Sequence, residues 1–195
     1  MTTFFEAIQN RRPYESVTAE AVVSKERLLD VLEHVVTYVP TPFNVQSSKL
    51  LVLLGEQHRQ FWSDASKNKE MSKNDILEQV AHHKAGFGTV LFFEDQQAIA
   101  DAKKQQPKKL DYFSSWSDHS SGMLQLTAWN ALQVEGFGAN LYHYPLLTRL
   151  EDKEKWEVPE WWELKAQLPF GKPSGSPIEI NEVESEKILR IYGKK

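Results

Sequence analysis

Ser117-Asp-His-Ser-Ser-Gly-Met-Leu-Gln-Leu-Thr-Ala-Trp-Asn-Ala-Leu-Gln-Val134 is the stretch that most constrains how this chain can fold. Met123, Leu124, Leu126, Ala128, Trp129, Ala131, Leu132 and Val134 leave it almost no polar face. A helix that is apolar nearly all round is buried on several sides. In a chain of 195 residues it is either a central core helix or one side of a subunit interface. Gly136 and Gly138 end it. Upstream, Ser24 is a good N-cap, and Leu28, Leu29, Leu32, Val35, Val36 and Val39 recur at helical spacing up to Pro40. Leu50–Leu54, closed by Gly55, and Thr89–Phe93, preceded by Gly86 and Gly88, read as buried strands.

The remaining segments fill in around these. Thr3 with Glu6 makes a capping box for a short helix to Asn10, which Pro13 cannot continue. Two helical stretches run from Glu56 to about His83, broken over Lys67–Ser72. Glu94-Asp95 opens another helix to about Gln106, and Pro107–Trp116 reads as irregular. Glu163–Phe170 reads as a strand stopped by Gly171, and Ile188, Leu189, Ile191 and Tyr192 as an edge or swapped segment. Strands separated by helices argue for a layered α/β or α+β fold, and the length suits a single domain over 1–195.

Composition excludes several classes. Hydrophobic residues make up 41% and charged residues 26%, so the chain is globular rather than disordered. A net charge of −4 supplies no basic stripe for nucleic acid. Cysteine is absent, which removes disulfides, thiolate metal sites and a cysteine nucleophile. No secretory leader or membrane-spanning run is visible, so a soluble cytoplasmic protein without a membrane partner is expected. His82 and His83 are adjacent, His119 and His143 lie alone, and no metal-ligand spacing emerges, so no metal is expected. No serine sits in a nucleophile elbow, no P-loop is present, and Gly136-Phe-Gly138 follows a helix rather than a strand.

What remains are donors in polar loops: Arg11-Arg12 at a helix end, and Asn44 and Gln46 in a proline-bearing loop. An arginine pair at a helix C-terminus commonly does no more than complement the dipole. A protein whose chemistry resides in a bound organic cofactor needs no visible catalytic dyad.

Asn10-Arg-Arg-Pro-Tyr14 resembles the opening of the FMN-dependent nitroreductase family. Pro40-Thr-Pro-Phe-Asn-Val-Gln46 resembles that family's Pro-Ser-x-x-Asn-x-Gln loop. Ala85–Asp95, Gly136–Tyr144 and Leu168-Pro-Phe-Gly171 resemble its short subgroup, which includes fungal fatty-acid-repression-mutant and bacterial copper-induced nitroreductases. The sequence departs from the family in having Ser47-Ser48 after the loop glutamine and Pro13 after the arginine pair. No Lys-x-Arg clamp follows Gly171.

The resemblance implies an α+β fold, a mixed sheet flanked by helices, and a homodimer with FMN at the interface. It implies NADH or NADPH as electron donor and a nitroaromatic, quinone or similar small aromatic molecule as acceptor. Arg11 is implied to pair with the FMN phosphate and Arg12 to lie near the phosphate or the pyrimidine edge, with Lys172 and Arg190 as further basic candidates. Asn44 and Gln46 are implied at the ribityl chain and ring edge. Ala139, Asn140 and Leu141 are implied against the flavin ring, and Trp116, His119, Ser120 and His143 on the substrate side. A stress-response role fits the subgroup, and a flavin-binding regulatory protein on the same fold is the alternative to an enzyme.

Overall fold

The computed structural model describes residues 3–68, 71, 74–181 and 183–193. The first two residues of the N-terminal reading, and part of the break expected over Lys67–Ser72, lie outside these. At the centre runs β3 (Gly88–Asp95), hydrogen-bonded on one side to β2 (Ser48–Leu54) and on the other to β5 (Trp162–Pro173). The far end of β5 carries two short strands, β1 (Val17–Thr18) and β4 (Gly138–Ala139). Every ladder is antiparallel, and the parallel component of the expected mixed sheet is a bridge between Pro13 and Ala139.

β3 is buried from Gly88 to Glu94 because helices cover both faces of the sheet. Alternation sends Val90 and Phe92 to one side, where Leu28, Leu32 and Val35 of α2 (Lys25–Tyr38) meet Leu124, Ala128 and Leu132 of α6 (Phe113–Val134). Leu91 and Phe93 point the other way, to Phe61 and Trp62 of α3 (Gly55–Ala65) and Val80 of α4 (Asn74–Lys84). The pairing of β3 with β5 slips at Phe92/Phe93, so Lys165 bulges out and reaches Asp118 and Glu163.

The expected caps are present. The Thr3 hydroxyl accepts from Glu6 N at the start of α1 (Phe4–Asn10), and Ser24 Oγ accepts from Arg27 N at the start of α2. At the other end of α6, Phe137 N donates to Leu132 O at 3.0 Å and Gly136 N to Gln133 O at 2.9 Å. Gly136 turns this corner at φ +94°, a value that favours glycine.

Four expectations are corrected. α6 begins at Phe113 rather than Ser117, because Phe113 and Trp116 already follow its period, and Pro107–Tyr112 is a 3₁₀ segment. Glu94 is strand rather than the opening of a helix; Asp95 caps α5 (Gln96–Gln105) through Ala98 N at 3.0 Å. Gly171 does not stop β5. It lets Thr18 approach, since a Cβ there would stand 2.3 Å from Thr18 O. The C-terminal apolar residues form no edge strand among the described residues. A short helix, Ser185–Ile188, is followed by exposed Leu189, Ile191 and Tyr192.

Candidate functional site

Two clusters of polar groups sit off α6. The first is built where α1 ends. Arg12 turns back, donating through Nη1 to Arg11 O at 3.0 Å and to Gln9 O, which occupies it as a C-terminal cap. Arg11 is not occupied that way. Its guanidinium carbon lies 4.4 Å from the centre of the Trp129 ring, and its Nε is buried without a hydrogen-bond partner. Burial, with the charge of Arg12 beside it, holds the Arg11 pKa below its ordinary value. Arg11 thus carries a buried N–H without a partner, next to a second cation.

The next residues join this arginine to a distant segment. Pro13 bridges to Ala139, and Tyr14 N donates to Ala139 O at 3.0 Å. Ala139 is buried, Leu141 packs against the main core, and Asn140 Nδ2 donates to the Tyr142 hydroxyl at 2.8 Å. The expected Arg11 and Ala139 segments are therefore neighbours.

The second cluster is the loop after α2. Phe43, Asn44 and Gln46 all stand at left-handed φ, 53°, 55° and 54°. Asn tolerates this region, but for a bulky residue such as Phe it is an outlier costing roughly 1–3 kcal/mol. The loop is held by Asn44 N donating to Thr41 O at 3.0 Å and Gln46 N to Thr41 Oγ1 at 2.9 Å. The Asn44 and Gln46 side chains are exposed and line a cavity of about 330 Å³ with Leu124 and Lys49. Phe43 is half exposed and leans on Phe113 and Trp116, ring centres 5.8 and 5.9 Å away, under the Lys109 ammonium at 4.7 Å.

The two clusters do not share one side of the helix. Leu124 and Trp129 are five positions apart on α6, which separates them by about 140° around the axis and about 7.5 Å along it.

The other expected residues scatter. Trp116 is partly buried and stacks on Tyr112, ring centres 5.4 Å apart. His119 and His143 are exposed. Ser120, expected on the substrate side, is buried in this chain, and its hydroxyl donates to Trp116 O at 3.0 Å. Lys172 is engaged by Glu20 at 2.6 Å, and Arg190 lies exposed in the C-terminal segment.

One residue went unread in the sequence. Glu94 is fully buried, and its carboxylate accepts from Ser47 Oγ at 2.6 Å, from Ser117 Oγ at 2.5 Å and from Ser48 Oγ. The signal was available: Val90, Phe92 and Glu94 continue one period-2 face toward α6.

The fold is a three-layer α+β architecture, with a partly buried arginine and a strained, amide-bearing loop set off the same helix. The chain belongs to the nitroreductase family, whose model matches residues 8–172. It is 29% identical to the nitroreductase-type protein HBN1 of Saccharomyces cerevisiae over 95% of this chain and 96% of that one. It superposes on the nitroreductase CinD of Lactococcus lactis in complex with chloramphenicol, with a TM-score of 0.90, 29% identity, and coverage of 98% of this chain and 100% of that one. CinD has also been solved with 4-nitrophenol. A nitroreductase-fold protein of Desulfovibrio desulfuricans solved with FMN shares the fold, with a TM-score of 0.71, 17% identity and coverage of 97% of each chain.

Proposed function

We propose that this chain is an FMN-dependent oxidoreductase that works as a homodimer, takes electrons from NADH or NADPH, and reduces flat, electron-poor acceptors such as nitroaromatics and quinones. The observation that carries the reading is Arg11, whose Nε is buried without a hydrogen-bond partner against Trp129, two residues before the Pro13–Ala139 bridge. FMN in a fold relative and 4-nitrophenol in CinD support the cofactor and the acceptor class.

The residues fit such a cofactor. Arg11 matches a phosphate, since its planar fork donates two parallel hydrogen bonds. Asn44 and Gln46 carry amides able both to donate and accept, as a ribityl chain and a pyrimidine edge require. Asn140 and Leu141, just past buried Ala139, are only partly buried and are the part of this segment that a flat ring could reach. Trp116 and Phe43 offer aromatic faces to a planar acceptor. When bound, FMN supplies the hydride chemistry; the chain holds it, orients it and limits water access.

Two copies are needed because Arg11 and the Asn44 loop lie off different sides of α6. An apolar groove of about 830 Å³ runs between α1, α2 and α6, with Phe4, Ile8, Tyr38, Met123 and Leu126 along it. A second copy seated there would cover these side chains and bring one copy's loop to the other's arginine.

The test is direct. Purified protein should carry flavin absorbance near one FMN per chain and oxidise NADH or NADPH steadily with 4-nitrophenol or a quinone. Protein that stays colourless with excess FMN overturns the reading. Protein that binds FMN but turns nothing over supports the regulatory alternative.

A further inference from the structure

We propose that Glu94 is the positioning residue of the Asn44–Gln46 loop, holding its strained backbone through the hydroxyls of Ser47 and Ser48. This rests on the flavin reading above and names a residue that reading does not use.

Three left-handed residues within four positions do not persist unless their surroundings fix both ends of the segment. The upstream end is fixed by Thr41, which accepts from Asn44 N and Gln46 N. The downstream end is fixed at Ser47 and Ser48. Both hydroxyls donate to the Glu94 carboxylate, and Asp95 N donates to Ser47 O at 2.8 Å. Ser117 Oγ donates from α6 to the same carboxylate at 2.5 Å.

The carboxylate has a specific use here: its two oxygens are acceptors that take all three hydroxyl donors. A neutral amide of the same shape would turn an N–H₂ toward at least one hydroxyl and force it to reverse. Lys49, next to Ser48, faces Asp95 at 3.9 Å rather than Glu94. Hydroxyls alone hold this buried carboxylate among the described residues, and two of the three belong to the loop's exit.

The experiment compares wild type, Glu94→Gln, the double variant Ser47→Ala/Ser48→Ala, and Ser117→Ala. Each apo-protein is titrated with FMN, its thermal midpoint is recorded, and the visible circular dichroism of bound flavin is taken at saturation. Loss of loop contacts should weaken FMN at least tenfold in Glu94→Gln and in the double-serine variant, with an altered flavin dichroism. Ser117→Ala removes a contact to the helix only, so it should lower the thermal midpoint while shifting the FMN dissociation constant less than threefold.

If the loop variants bind FMN like wild type, Glu94 is merely structural and the proposal fails. It also fails if Ser117→Ala weakens FMN as much as they do. Should Glu94→Gln not fold, the double-serine variant decides alone. A wild type that binds no FMN overturns the flavin reading itself, a result distinct from either failure.

Discussion

Arg11 stacks its guanidinium on Trp129 at 4.4 Å and leaves its Nε buried and unpaired, while Arg12 beside it is folded onto the carbonyls of α1. The pair is thus divided. One arginine closes the helix, and the other is the one proposed to meet the FMN phosphate. Arg11→Ala should weaken FMN binding by ~1.5–3 kcal/mol, the scale of a charge-assisted hydrogen bond, or roughly 10–150-fold. Calorimetric titration of the apo-protein measures this. Arg11→Lys should recover only part of the loss, since an ammonium lacks the planar fork. An unchanged dissociation constant in Arg11→Ala removes Arg11 from the phosphate.

The groove beside α6 gives a prediction on assembly. Leu126 is about half exposed there among apolar neighbours. Leu126→Asp would place a charge where a second copy is proposed to seat, at a cost of several kcal/mol when desolvated. Sedimentation should show a wild-type dimer and a monomeric variant, with FMN affinity falling alongside. A wild type that sediments as a monomer removes the argument for a shared site.

Phe43 links strain to the acceptor side. Phe43→Asn puts a residue tolerant of left-handed backbone at φ 53° and removes an exposed ring. Stability should hold or rise by up to ~1 kcal/mol, while the KM for a nitroaromatic acceptor rises several-fold. Urea unfolding and steady-state kinetics test the two halves separately. A clear loss of stability with unchanged KM would make Phe43 a packing residue.

Acid should destabilise the fold through two buried imidazoles. Burial pushes His58 down to about 4 and His83 down to about 3 from an ordinary 6.5. Trp62 Nε1 donates to Thr89 Oγ1, which lies 2.9 Å from His58 Nδ1, and His83 Nε2 lies 3.1 Å from the Tyr144 hydroxyl. Both folded pKa values are lower than the unfolded ones, so below about pH 6.5 the unfolded chain binds more protons. The stability these histidines contribute is complete above that pH and falls away as pH drops toward 4 and 3. Between pH 6.5 and 5 the loss is up to roughly 3 kcal/mol for the two together. Urea denaturation at several pH values measures the slope, and His83→Phe should remove about half of it. A stability flat between pH 6.5 and 5 would refute the neutral buried pair.

Much of this was legible in the chain because local chemistry and tertiary packing agree. Thr3 and Ser24 cap helices in any context, and the Val90-Leu-Phe-Phe93 run is apolar on both faces because both are covered. The family motifs led to the right fold. What failed to show was set by long-range contacts. Gly171 looks like a strand stop until Thr18 is seen against it. Glu94 looks like a helix opener until Ser47, Ser48 and Ser117 surround it. The family motif already separated Arg11 from Arg12, but the contact with Trp129, distant along the chain, could not be read from it. The exposed C-terminal residues promised a strand because their apolar pattern cannot say what they will meet.

Pro13 carries one more consequence. It sits along the outer side of β4 and has no N–H to offer, and the next amide, Tyr14 N, is already bonded to Ala139 O. The Pro13 carbonyl in turn accepts from Ile178 N at 2.8 Å, so the chain's own downstream segment covers this margin and discourages the addition of a further strand. The margin of β4 is thereby withdrawn from strand-to-strand association.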